Sequence, residues 1–182
     1  MVKRLAVLLS VIFLFSGVAS ALEFSADSIT AGKGYTNTMK AFFSKGRFRM
    51  DTTSTKTRMS MIWHIDKKVL LTIMPDKKIY MESTYDIKDG PMVEEKMMGE
   101  VERKQVGAET IDGHPTKKYL VTRKIGNKQD QGYQWWATDI NFPIKHAAIN
   151  GSWTVEYKNI KIGAQPDSLF EIPAGYTKTP DL

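Results

Sequence analysis

The sequence predicts a mainly β protein: a single, strongly curved antiparallel sheet (a half-barrel) with a short helix covering its concave face. Three observations lead there. Apolar and polar residues alternate with a period of two in many short segments. Turn residues recur every ten positions or so, the spacing of an antiparallel meander. Between the strands there is no room for the helices that parallel crossovers would need.

The elements follow in order. Phe24-Ser25-Ala26-Asp27-Ser28 reads as a strand from the start. Arg47-Phe48-Arg49-Met50-Asp51 alternates charged and apolar residues, which marks a strand with one wet face. Met59, Met61, Trp63 and Ile65 share a face, with Ser60, Ile62 and His64 opposite. Residues 68–74 are apolar on both faces, as expected of a central strand. Further strands are expected over 79–81, 118–123, 131–138, 144–149 and 152–162. In the last, Trp153, Val155 and Tyr157 are in phase while Ile160 and Ile162 have slipped by one, which predicts a bulge near Lys158-Asn159. Asn150-Gly151 is the strongest hairpin signal, and Lys45-Gly46, Asp66-Lys67, Pro75-Asp76, Asp112-Gly113 and Gly126-Asn127 serve similarly.

Residues 89–99 break the pattern. Asp89 resembles an N-cap, Glu94 and Glu95 lie near the start, and Gly99 stands at the end. Val93, Met97 and Val101 are four apart and would share one stripe. These features predict the short helix, docked by that stripe against the sheet, because a helix so short is not stable alone.

Composition narrows the function. The 182 residues are 42% hydrophobic and contain four tryptophans, ten methionines and no cysteine. Disulfide scaffolds and thiolate zinc sites are excluded. Residues 1–21 read as a secretory signal peptide: Lys3 and Arg4 first, an apolar middle from Leu5 to Phe15, and Ala19-Ser20-Ala21 at the cleavage point. The apolar stretch is short for a membrane span. Residues 22–182 then form one domain, secreted to the periplasm and without the cysteine that lipidation would require. Removing the two leader bases lowers the formal charge from +6 to +4, with no run of five like charges. Such mild basicity suits solubility and gives no case for nucleic acid.

The feature most suggestive of function is soft apolar surface. Methionine side chains are unbranched and polarizable and repack around irregular apolar guests. Met59, Met61, Trp63 and Met81 on the concave face, with Met97 and Met98 on the helix above, would make an adaptable hydrophobic groove. Catalytic candidates are weaker. His64 and Asp66 on one strand end supply no nucleophile or oxyanion hole. His64, His114 and His146 show no metal-ligand spacing, and no cofactor motif is present. Trp135-Trp136 can offer at most one ring to a ligand, because adjacent strand residues face opposite ways.

A resemblance adds to this. The run Trp135-Trp136-Ala137-Thr138-Asp139-Ile140-Asn141-Phe142-Pro143-Ile144-Lys145, the later Val155 to Gly163, and the ending Pro166-Asp167-Ser168-Leu169-Phe170-Glu171-Ile172-Pro173-Ala174-Gly175-Tyr176 resemble an uncharacterised family of secreted proteins. That family is similar to the outer-membrane lipoprotein-sorting (LolA/LolB-like) carriers. The likeness extends to Ile111-Asp112-Gly113-His114-Pro115-Thr116-Lys117-Lys118-Tyr119, as the strand pair preceding that region. It implies a curved half-barrel that holds a lipid, acyl chain or lipidated polypeptide without chemistry. Lipoprotein sorting is one such role, and docking of an envelope protein partner, as in stress sensing, is the alternative. It carries no catalytic residues across. In the ending, Asp167 or Ser168 is expected to cap a turn, and Leu169 and Phe170 to anchor the tail.

Overall fold

The computed structural model describes residues 22–52, 58–86 and 89–179; the expected signal peptide lies outside them. Twelve strands form one sheet: β1 (Glu23–Gly32), β2 (Tyr35–Ser44), β3 (Arg47–Thr52), β4 (Ser60–His64), β5 (Val69–Met74), β6 (Ile79–Thr84), β7 (Glu100–Ile111), β8 (His114–Ile125), β9 (Lys128–Ala137), β10 (Phe142–Ala148), β11 (Trp153–Ile162) and β12 (Thr177–Lys178). Their order across the sheet is β12-β6-β5-β4-β3-β2-β1-β11-β10-β9-β8-β7, so β12 and β7 are its two free edges and it does not close. Every neighbouring pair is antiparallel except β12 with β6, which makes the sheet mixed and not purely antiparallel.

Register explains the core. Phe24, Phe43, Phe48, Trp63 and Leu70 are direct cross-strand partners across five strands, so they form one row on one face. Successive rings stand 5.7, 6.5 and 5.8 Å apart from Phe24 to Trp63. Two residues along each strand lies a second row, Ala26, Ala41, Met50, Met61, Thr72 and Met81. The face carrying these rows is concave. Phe48 on β3 and Tyr157 on β11 are three strand spacings apart, about 14 Å in a flat sheet. Their ring centroids are 6.3 Å apart, so the sheet curls to bring them together. The same curl lets Asp112, at the tip of the β7–β8 hairpin, reach β11. Its carboxylate accepts the backbone N–H groups of Asn159 (3.0 Å) and Ile160 (2.8 Å). Those amides belong to the expected bulge, where the β1–β11 register shifts and Asn159 takes a φ of 54°.

A smaller core sits on the opposite face of β4 and β5. Ile62, Leu71 and Ile73 pack there against Phe170, with Leu169, Ile172 and Tyr176 beside them. The expected tail anchor is therefore present. The expected cap is not: the turn at Asp167–Phe170 has no side-chain cap hydrogen bond, and Asp167 pairs instead with Arg47 and Lys45. Arg47 also lies over the Phe170 ring at 4.5 Å, and Arg49 donates to the Leu169 carbonyl.

The expected short helix over 89–99 is not found. After Asp89 and Gly90 the segment runs irregularly to β7. Pro91 has no N–H to give, and the amides that do bond reach back only two or three residues, Val93 to Pro91 and Glu100 to Met97. The carbonyls of Glu94 and Glu95 are taken by side chains from the sheet, Gln134 and Arg103 respectively, and the Met97 amide by the Glu100 carboxylate. Partners that would have closed helical turns come from β7 and β9. The expected stripe dissolves accordingly: Val93 packs on the core, whereas Val101 has entered β7 and is 63% exposed.

Candidate functional site

Residues 89–99 cross the concave face as an irregular covering segment that walls two recesses. Both have Gly90, Pro91 and Met92 in their walls. The inner one, about 200 Å³, is walled by Ser28, Thr30, Phe48, Met50, Trp63, His146, Val155 and Tyr157. The outer one, about 210 Å³, is walled by Ile65, Tyr85, Val93, Met97, Met98 and Ile125, with Lys68, Lys96 and Arg123 among its charged residues. Between the rows and the recesses the interior is largely filled by its own rings, since Phe24, Phe48, Phe142 and Tyr157 are all buried.

The residues singled out from sequence distribute as follows. Trp63 walls the inner recess, and Met97 and Met98 wall the outer one. Met61 and Met81 stand on the concave face in the second row. Met59 lies just before β4, where its N–H donates to the Thr52 hydroxyl at 3.0 Å. The inner recess also has walls that sequence reasoning did not select, above all Ser28, Met92 and His146. A signal for two of them exists: Ser28 continues the inward phase of Phe24 and Ala26, and His146 that of Phe142 and Ile144.

Polarity in the inner recess is unusual. Ser28 Oγ, Trp63 Nε1 and both ring nitrogens of His146 are buried without a bond of full hydrogen-bond geometry among the described residues. Burial pushes His146 down to about 4, with the Met92 backbone opposing the effect and the nearby Arg123 and Arg103 charges adding to it. The imidazole is therefore neutral at pH 7. Burial likewise raises the Tyr157 phenol, against the opposing influence of the neighbouring Ser28. Beneath the covering segment, Arg103 bonds Glu100 (2.8 Å) and Gln134 (2.8 Å). Desolvation pushes the Glu100 carboxyl up, yet the hydrogen bonds from Arg103 and the Met97 amide together hold it below its ordinary value.

No group of three or more His, Cys, Asp or Glu side chains among the described residues is placed to hold a metal ion. His114 Nδ1 and Asp139 form a pair at 2.8 Å, at the opposite end of β8 from the recesses. No helix among the described residues is long and apolar enough to cross a membrane.

Residues 27–141 match the family model described as a domain of unknown function, DUF4412. The chain belongs to the DUF4412 family. No curated protein matches it. Among solved structures, an uncharacterised conserved protein from Thermus thermophilus shares the fold at a TM-score of 0.60 and 8% identity, over 87% of this chain and 90% of that one. A chain of the Pseudomonas aeruginosa MucA/MucB complex is similar at a TM-score of 0.55 and 13% identity. That match covers 81% of this chain but only 55% of the other, so the DUF4412 chain spans about half of its length. A domain assigned to outer-membrane lipoprotein sorting from Vibrio parahaemolyticus is also similar, at a TM-score of 0.41 and 11% identity, over 83% of this chain and 90% of that one. The expected membership of an uncharacterised family is what the family model returns, and the structures at TM-scores of 0.60 and 0.55 share its fold.

Proposed function

We propose that this DUF4412 protein is a non-catalytic envelope binding protein. It holds an apolar chain, from a lipid or an acylated polypeptide, against the concave face and beneath residues 89–99. The observation that carries this reading is the covering segment itself. It is irregular, it is tied to the sheet by side-chain hydrogen bonds from Arg103 and Gln134, and it walls both recesses. Sites for small molecules run to roughly 300–1,000 Å³. Each recess alone is smaller, so a guest must displace Met92, Met97 or Met98. Methionine, with three rotatable bonds, is suited to that repacking. Secretion to the periplasm and a place in lipoprotein sorting are the roles in which such capture is useful.

Native mass spectrometry of the mature chain, incubated with decanoic acid and with a phospholipid, tests the reading. A one-to-one adduct that survives desolvation is expected, and a methionine-to-lysine change at Met92 should abolish it. Failure of both ligands to bind the folded protein removes the proposal.

A second reading is favoured by one finding. A similar chain comes from a complex of two proteins, MucA and MucB. The free β7 edge could accept a partner strand by the same backbone pairing that holds the sheet. Copurification of one stoichiometric polypeptide without lipid would favour docking over lipid capture.

A further inference from the structure

The inner recess is not uniformly apolar, and its polar groups point to the chemistry of what it takes. Ser28 on β1, Trp63 on β4 and His146 on β10 come from three strands distant in sequence, and all three line one space of about 200 Å³. Ser28 and His146 are each 1% exposed and Trp63 is 8% exposed. Trp63 Nε1 has no partner among the described residues, and Ser28 Oγ and the imidazole nitrogens make no bond of full hydrogen-bond geometry there, although the Tyr157 hydroxyl lies beside Ser28 and the Met92 backbone beside His146. A buried polar group left unpaired keeps its full desolvation penalty, so three in one place call for a shared ligand group. The neutral imidazole offers one N–H and one bare nitrogen, the serine hydroxyl can donate and accept, and the indole only donates. The group that fits must both donate and accept, and it must enter without a full charge, because the space is walled by Phe48, Met50, Val155 and Tyr157.

We propose that this recess takes the carboxyl end of an acyl chain, with the acid O–H donating to the bare nitrogen of His146 and the carbonyl oxygen accepting from Trp63 and Ser28. The rest of the chain runs past Gly90, Pro91 and Met92, which both recesses share. This assignment rests on the apolar-ligand reading above and adds the polarity of the guest's end. The charged and titratable groups around His146 are Arg103 on β7, Arg123 on β8 and Tyr157 on β11, and the covering segment faces it with the Met92 backbone. Arg103 pairs with Glu100 and Arg123 with Asp130. A fatty acid is ionised in water at pH 7, so it reaches the recess by taking up a proton, shared there between carboxyl and imidazole.

Calorimetry on the delipidated mature chain tests this with decanoic acid against methyl decanoate, in two buffers of different ionisation enthalpy. The acid should bind at least tenfold more tightly than the ester, with about one proton taken up per acid at pH 7. H146L should bring the acid to the ester's affinity and leave the ester unchanged, and S28A should narrow the gap in part. Equal affinity of acid and ester, or an equal loss of both in H146L, overturns the carboxyl assignment while the apolar reading stands. Binding of neither ligand overturns both. Should H146L fail to fold, the ring resonances of His146 in the unaltered protein decide: decanoic acid should shift them and the ester should not, and their indifference to the acid overturns the assignment.

Discussion

His146 shows how a single position sets both stability and chemistry. Its value falls from 6.5 to about 4 on folding, because burial penalises the imidazolium. Above pH 6.5 the ring is neutral folded or unfolded, and nothing is lost. As the pH drops below 6.5 the unfolded chain takes up a proton that the native one refuses, so stability falls until about pH 4, where the loss levels off at about 3 kcal/mol. Urea midpoints measured from pH 7.5 to 4 should therefore drop in the unaltered protein and stay flatter in H146L. Carboxylates held low by partners act at lower pH: Glu23 by the Gln165 amide and Ser44, Asp27 by Lys40 and Asn159, and Asp167 by Arg47. Their contribution fades only as the pH falls through the carboxylate range. At this scale the sequence was half legible. Alternation placed Trp63 and Met61 on the inward face, yet it gave no reason to select Ser28 or His146. A polar residue in an inward phase is equally consistent with a satisfied core group, and the missing partner is visible only when three strands meet.

Among the elements, the covering segment departs from the helix its local signals predict, and its tether explains why. An N-cap-like Asp89, following acids and fourfold apolar spacing are local signals, and they predict a helix wherever no other partner competes. Here Arg103 and Gln134, on β7 and β9, supply hydrogen bonds to the very carbonyls that a helix would use. Replacing Arg103 with Met removes the tie to the Glu95 carbonyl and strips Glu100 and Gln134 of a partner, leaving only the Gln134 bond to Glu94. Amide exchange across residues 93–100 should rise at least tenfold in R103M, while β3 and β4 amides keep their protection, and uptake of a fatty-acid probe should quicken. Unchanged exchange there would show that packing of Val93, not the guanidinium, holds the segment down. The strands were more legible. β3, β4, β5 and the bulge in β11 follow the expected pattern, because β3 alternates apolar and charged residues while β4 and β5 pack apolar residues on both faces. β7 shows no such pattern: as an edge strand it is largely exposed and carries charges where an inner strand carries apolar residues.

For the whole molecule, the curl and the two edges matter most. Curvature was legible as a consequence of a long antiparallel meander, but the parallel strand was not. Thr177–Lys178 has only two residues and no periodicity, and it pairs with Ile79 and Tyr80 because Phe170 and Tyr176 have already fixed the tail on the second core. That pairing covers the β6 edge, where Ile79, Tyr80 and Met81 would otherwise offer free backbone. A chain ending at Gly175 should therefore associate in size-exclusion chromatography at concentrations where the full chain stays monodisperse; identical elution would show that β6 tolerates exposure. The other edge is secured differently. The β7–β8 arm bends back until Asp112 fastens onto the bulge of β11, a clasp of two hydrogen bonds and not a ladder. Such a fastening can be undone without unzipping any strand, so the bore of the trough is governed at its rim by one aspartate, like the hook on an otherwise seamless cuff.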